Sequence, residues 1–333
     1  MLVIFCRFLI TMVRNITMVL CFPGYTPSYY YLLSDIQRFI LIAFTVVAII
    51  PGVITNLLVL ISLIKTKQLK TPSLQLMAIL TMSDLLAAAV WEPISVITFS
   101  TKFGGQCILE NLVTFWECFQ LHFSAFVFCL IVVDRYVHLK YLMNYKKIMS
   151  WKRMGAFLLA ILLLSIMQGI LLALPHWELI DPRRIRMVFL VFLDIIVFIA
   201  AFIIVMRIRK LVEKQEDSMV SSGTTAYMNR LVKVMMVTLY AFFAPFIIVS
   251  IISVVFKSSG CCDSALQWLQ FSLFLTIKYE FCNTTANSMI FITLNKPIKE
   301  FLKNSLCRCL ANKDDSRRKY ESKRTNTSNL WKV

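Results

Sequence analysis

The residues of this chain that could do chemistry lie mostly inside apolar runs. Asp84 sits in Leu80-Thr81-Met82-Ser83-Asp84-Leu85-Leu86, and Asn56 in Thr55-Asn56-Leu57-Leu58-Val59. Ser124 lies midway along the run Phe115–Val133, and Asn283, Thr284 and Asn287 fall on neighbouring turns of a late apolar run. Carboxylate, hydroxyl and amide oxygens gathered this way suit a small hard cation with water. The alternative is an interhelical hydrogen-bond network without an ion. Ionisable groups inside lipid are costly, so each is a functional candidate under either reading.

A second group is acidic. Glu92, Glu110, Glu117 and Glu280 lie in, or next to, one end of their apolar runs, where they would form an acidic mouth. A desolvated carboxylate orients a cation strongly, so the matching ligand is a cationic amine or a basic peptide. The alternative is internal pairing, because a buried carboxylate needs a partner. Lys278, Lys102 or the Arg183-Arg184-Arg186 cluster could supply it. A third group, Asp134-Arg135-Tyr136, ends the run Phe115–Val133 and passes into a basic segment containing Tyr145, Lys146 and Lys147. No enzyme pattern competes. His122, His138 and His176 form no ligand pair, and Cys261-Cys262 and Cys307-x-Cys309 lack partners at zinc spacing.

The elements that position these groups are membrane spans. The chain has 333 residues and is 59% hydrophobic, with a mean hydropathy of +0.74, which places it in the membrane class. Seven apolar runs are long enough to cross a bilayer, at roughly 38–64, 73–99, 108–137, 154–175, 187–211, 231–256 and 266–294. Of 35 Lys and Arg, 26 fall in four zones, 65–70, 135–153, 207–233 and 296–332. These zones alternate with the other inter-span segments, as cytoplasmic loops require, so the net charge of +17 marks topology rather than nucleic-acid binding. The expected fold is an all-α, seven-transmembrane helix bundle with a short amphipathic interfacial helix after the last span. Its expected parts are an extracellular segment 1–37, a bundle 38–294, an amphipathic helix 295–309 and a disordered cytoplasmic tail 310–333. Met1–Leu20 is a poor signal peptide, interrupted by Arg7 and Arg14. Asn15-Ile16-Thr17 is a glycosylation acceptor on the outer side. Ile298, Phe301, Leu302 and Leu306 share one face of the amphipathic helix, with lysines flanking it. Cys307 and Cys309 follow where S-acylation would add a lipid anchor. No internal repeat is evident, which weighs against a transporter built from inverted halves.

Taken together, the motifs resemble those of the rhodopsin-like G-protein-coupled receptors over about residues 38–309. Asp134-Arg135-Tyr136 matches the DRY motif at the inner end of the third span. Asn56, Ser83-Asp84-Leu85 and Pro93 match positions of the first and second spans. Ser124, Asn283, Thr284 and Asn287, with Asp84, fall where the family places an allosteric sodium ion. No other cofactor is expected. The resemblance implies that Asp134 neutralises Arg135 at rest, and that an outward swing of the sixth span exposes Arg135 to a heterotrimeric G protein, with Tyr136 and Tyr145 nearby. It also implies a plasma-membrane location, membrane-lipid contacts, an arrestin and a receptor kinase as partners, and an outer ligand pocket. Glu117 stands where amine receptors hold the ligand's ammonium. Phe281, not Lys278, occupies the opsin lysine position.

Other family motifs are altered. Phe242-Phe243-Ala244-Pro245 replaces CWxP, keeping the kink at Pro245 and putting Phe243 at the switch position. Asn287-Ser288-Met289-Ile290-Phe291 replaces NPxxY, so Phe291 lacks the tyrosine hydroxyl. Asp194 and Phe202 replace the fifth-span proline and tyrosine. The loop 175–186 has no cysteine, leaving Cys21, Cys107, Cys261 and Cys262 as outer candidates of undetermined connectivity. The short cysteine-free outer loop and the proline-free fifth span resemble the melanocortin and adenosine-type receptor cluster. Alternatives to a signalling receptor are an ion transporter or channel using Asp84, Glu117 and Glu280, and a receptor-like binding protein that no longer signals.

Overall fold

The computed structural model describes residues 33–69, 71–100, 107–141, 144–173, 223–258 and 263–305, together with 192–193, 195–200, 202–208 and 210–211. Asn15, Cys21, Cys261, Cys262, Cys307, Cys309 and the side chains of Cys107 and Glu110 lie outside the described residues. Among the described residues there is no strand.

The first span is the helix Asp35–Lys65. Ser34 starts it with a capping box: the Gln37 N–H donates to Ser34 Oγ (3.3 Å), and the Ser34 N–H donates to Gln37 Oε1 (2.9 Å). Lys67 ends it in the left-handed region at φ 53°. The Gln68 N–H then closes back on the Leu63 carbonyl and the Lys67 N–H on that of Ile64, which satisfies carbonyls left over at the helix end.

The second span differs from the continuous helix its sequence predicts. It runs as Pro72–Leu86, a wide π turn Ala87–Trp91, then Glu92–Ser100. Pro93 supplies the reason. It has no N–H, and its ring crowds the carbonyl one turn earlier. The wide turn, in which the Glu92 N–H reaches the Ala87 carbonyl, absorbs that conflict. The extra residue rotates the outer half, and Glu92 and Ser95 both become buried.

The third span, Cys107–Lys140, is the axis of the bundle. Phe119, Phe123, Val127, Phe128, Ile131 and Val132 are buried along it and head the main apolar cluster. The fourth span is Trp151–Ala173. The described part of the fifth includes the apolar helix Ile195–Ile208. The sixth, Gly223–Ser258, starts well before the predicted residue 231. Hydropathy marks where a helix meets lipid, not where its hydrogen bonds begin, so the polar first turns were invisible to it. The seventh is Asp263–Leu294. By length and composition, four helices among the described residues can cross a membrane: Asp35–Lys65, Pro72–Ser100, Asn111–Lys140 and Trp151–Leu171. The last span owes its lower hydropathy to Lys278, Glu280, Asn283, Thr284 and Asn287, all of them buried or nearly so.

Span three packs on span four, span two on spans one and three, and span seven on spans one and six. The outward faces carry Phe39, Val47 and Leu163, all well exposed. That pattern fits a lipid solvent rather than water. Beyond span seven, residues 296–305 form the expected amphipathic helix. Ile298 is fully buried, Phe301 and Leu302 are half-buried, and Lys296, Lys299 and Lys303 face outwards. Asn295 ties this helix to the inner end of span one, donating from Nδ2 to Gln68 Oε1 at 3.2 Å.

Gly169 is required where spans three and four meet. A Cβ there would lie 2.8 Å from the Phe115 ring and 2.9 Å from its carbonyl oxygen, whereas one at Gly155 would meet nothing within 4 Å. Gly169→Ala is expected to lower the melting temperature of the purified protein, at a cost of about 1–3 kcal/mol. Gly155→Ala should be neutral or stabilise by up to ~1 kcal/mol. Equal melting of the two variants would contradict the close approach.

Candidate functional site

The outer site is built around a lysine. Lys278, on span seven, is 1% exposed. Its Nζ donates to Glu92 Oε2 (2.8 Å), Ser95 Oγ (2.8 Å) and Glu117 Oε1 (2.5 Å). An ammonium has three donors, and all three are used. Ser95 closes the ring by donating to Glu117 Oε1 at 3.1 Å. The Phe99 ring lies 5.7 Å from Nζ, and Trp91 stacks on Trp116 at 4.2 Å. Spans two, three and seven are thus joined by one ion cluster.

This geometry pairs two of the four acids. Glu92 and Glu117, expected as acids open to a ligand, are already engaged by Lys278, so internal pairing holds at these two positions. Ser95 was not foreseen, since a lone serine in an apolar run carries little signal. Glu280 differs from them. It is 6% exposed and has no hydrogen-bond or ion-pair partner among the described residues.

A second polar group lies deeper along the spans, around Asp84. Gln120 Nε2 donates to Asp84 Oδ1 at 3.0 Å, and Gln120 Oε1 accepts from Ser83 at 2.8 Å. Gln120 could have been found as the glutamine one turn before Ser124. Asn56 belongs to a hydrogen-bond network: its Nδ2 donates to the Gly52 carbonyl at 2.8 Å, and its Oδ1 accepts from Ser288. Thr284 donates to the Phe281 carbonyl at 2.9 Å. Asp84 Oδ2, Ser124 Oγ, Asn283 Oδ1 and both amide atoms of Asn287 are buried with no hydrogen-bond partner among the described residues. Hydrogen bonding therefore accounts for only part of this group. The remaining oxygens fit the hard cation that the spacing suggested. Among the described residues no group of three or more His, Cys, Asp or Glu gathers to hold a metal, so a cation here would rest largely on neutral oxygens. Phe243 and Phe291 are both buried in the main apolar cluster. Phe243 sits beside Phe198 at 6.2 Å between centroids, and Pro245 lies inside the sixth helix.

At the inner end, Asp134 is fully buried. It accepts from Ser73 and from the Tyr145 hydroxyl, the latter at 2.7 Å. Arg135 Nε is farther away, at 4.0 Å. The expected acid–arginine pair is therefore not the tightest contact of Asp134, because two hydroxyls lie closer. Ser73 escaped the sequence reading because it lies 61 residues away at the foot of span two. The Tyr145 phenol is pushed up to about 12, first by burial and then by its bond to the Asp134 carboxylate. A raised phenol keeps its proton in the folded state. Its stabilising effect is complete below the unfolded value near 10 and is lost only as pH rises through about 12. The Tyr145 phenol therefore stays protonated, and able to donate, throughout the physiological range. Lys140 lies 5.5 Å over the Tyr136 ring and 4.9 Å over that of Tyr141.

An acid–arginine–tyrosine triplet at the foot of a buried third span, beneath a column of polar groups between spans two, three and seven, points to one family. The sequence matches the family described as 7 transmembrane receptor (rhodopsin family) over residues 55–291. The chain belongs to that family. It is a multi-pass, seven-transmembrane receptor of the rhodopsin-like class, whose members are signalling receptors rather than enzymes. No curated protein is significantly similar to the chain.

The lysine cluster makes a stability prediction for this receptor. Lys278→Met alone leaves two buried carboxylates against each other and should cost about 3–5 kcal/mol, read as loss of surface delivery and a lower melting temperature. The triple variant Glu92→Gln, Glu117→Gln, Lys278→Met removes every charge of the cluster and should recover most of the loss. If the triple variant melts no higher than the single one, the cluster is not the unit described.

Proposed function

We propose that this receptor resides in the plasma membrane with its amino terminus outside and passes an extracellular signal to a heterotrimeric G protein. The observation that carries this reading is the inner latch. Asp134 is held by Ser73 from span two and Tyr145 from the inner loop, with Arg135 beside it. A partner that engages Arg135 must rearrange three segments together, which suits a two-state bundle. Tyr136, Lys140 and Lys147 extend the same inner surface. Phe243, Pro245, Asn287 and Phe291 lie in the switch positions between the latch and the pocket. Arrestin and a receptor kinase would share the inner face, and the lysines of helix 296–305 would lie against anionic lipid.

The ligand reading is a cationic amine or basic peptide that competes with Lys278 for Glu92 and Glu117. Two carboxylates sharing one ammonium leave a net negative charge, which still draws a cation inward. Asp84, Ser124, Asn283 and Asn287, with Thr284 nearby, would hold an allosteric cation, and a cation there would stabilise one packing of spans two, three and seven over another.

The test is G-protein activation in cells at matched surface levels, across G-protein classes and a library of amines and basic peptides. Arg135→Ala should abolish the signal. Tyr145→Phe should raise basal signalling. A charge-assisted hydrogen bond worth ~1.5 kcal/mol and held only at rest corresponds to about a tenfold shift towards the active state. Silence of the wild type in every class, despite normal delivery, would overturn the reading.

A further inference from the structure

We infer that His138 is a positioning residue of the inner latch: its ring holds the Tyr145 ring in place, so that the phenol hydroxyl meets the Asp134 carboxylate. Its effect on signalling rests on the G-protein reading proposed above. Its effect on Tyr145 does not.

Tyr145 needs such help. It opens the helix Tyr145–Ile148, a single turn of four residues. Asn144 precedes that turn without a side-chain cap bond, and both Asn144 and Lys147 are exposed. One turn of helix does not hold its own shape, because nucleation costs more than its few hydrogen bonds return. A half-buried tyrosine on such a turn has several rotamers open to it, and giving them up costs conformational entropy. The hydroxyl donates to Asp134 Oδ1 at 2.7 Å. One hydrogen bond fixes the tip of the side chain but not the plane of its ring.

The plane is fixed by His138. The two rings meet edge to face, with centroids 4.7 Å apart and planes at 87°, an arrangement that aromatic pairs favour. His138 follows Asp134 by four residues, so both project from one face of span three, about 6 Å apart along its axis. They act as two jaws, a carboxylate for the hydroxyl and a ring for the ring. Three tyrosines lie at this end of the span, and the jaws select one. Tyr136 and Tyr141 are placed against Lys140, whose ammonium is 5.5 Å and 4.9 Å from their ring centres. Tyr136 also follows Asp134 by only two residues, which puts it on another face of the helix. An aliphatic side chain at 138 would fill space without offering this ring contact.

The test is a double-mutant cycle on thermal unfolding of the purified full-length receptor in detergent, with neither ligand nor G protein. Tyr145→Phe removes the hydroxyl and is measured in the wild type and in His138→Ala, His138→Leu and His138→Phe. In the wild type it should lower the melting temperature. In His138→Ala and His138→Leu it should cost less than about half as much, because the hydroxyl is no longer aimed and contacting residues couple. His138→Phe keeps a ring against Tyr145 and should restore the full loss. A side chain that only fills space would give additive losses. Additive losses in His138→Ala, or a His138→Leu background that matches His138→Phe, would overturn the inference. In cells at matched surface levels, His138→Ala should raise basal signalling about two- to tenfold, and His138→Phe should not. Coupling in the unfolding cycle, with basal signalling unchanged in both His138→Ala and Tyr145→Phe, would uphold the positioning role and remove the latch from the signalling mechanism.

Discussion

The hydrocarbon core of a bilayer offers no hydrogen bonds, and the rest of this structure follows from that constraint. Every polar side chain within the spans must find a partner inside the protein or bear the cost of having none. Small hydroxyls solve the problem locally: Thr45, Thr55, Ser62 and Thr238 each donate to the carbonyl one turn earlier. Charged groups cannot, and Asp84, Glu92, Glu117 and Lys278 meet their partners in the seam between spans two, three and seven. Apolar side chains are displaced outward, so the bundle is oily outside and polar along part of its axis.

The seam is closed differently at its two ends. At the outer end, full charges meet in an ion cluster whose ammonium has no donor to spare. At the inner end, a carboxylate is held mostly by neutral hydroxyls. Glu117 and Asp134, the span-three members of these two closures, stand about 25 Å apart along one helix. A rigid helix carrying a strong tie at one end and a weaker tie at the other yields first at the weaker. The asymmetry therefore suits a protein whose outer half holds its shape while its inner half changes partners. Between the closures lie Asp84 and neighbours whose buried polar atoms have no partner among the described residues.

Much of this was legible in the sequence. Span positions follow from hydropathy, because lipid-facing and helix-facing surfaces are both apolar over a fixed length. The Asp134-Arg135-Tyr136 triplet and the polar positions at Asp84, Ser124, Asn283 and Asn287 stand out for the same reason, being polar where the background is not. Pairing was not legible. Lys278 had several candidate acids and the acids had several candidate cations, and only the relative rotation of spans two and seven decides among them. Ser73 and Ser95 were missed because a serine costs little in an apolar run and so leaves little trace. The π turn at Ala87–Trp91 was missed for another reason: hydropathy has no register, and one additional residue in a turn leaves the average unchanged. The early start of span six was hidden likewise, since a helix protruding into water carries no apolar signal.

That turn has a consequence for how the second span can diverge. It holds one more residue than an α-helical turn needs, directly between Asp84 and Glu92. Replacement of Pro93, whose clash holds that turn open, would let all of its residues join an unbroken helix and swing everything above it by about 100°. Glu92 and Ser95 would then leave Lys278, while Asp84 and Gln120 kept their places. The outer and middle halves of the polar seam are therefore separable by one small genetic event, and outer chemistry can be exchanged over evolutionary time on an unchanged inner frame.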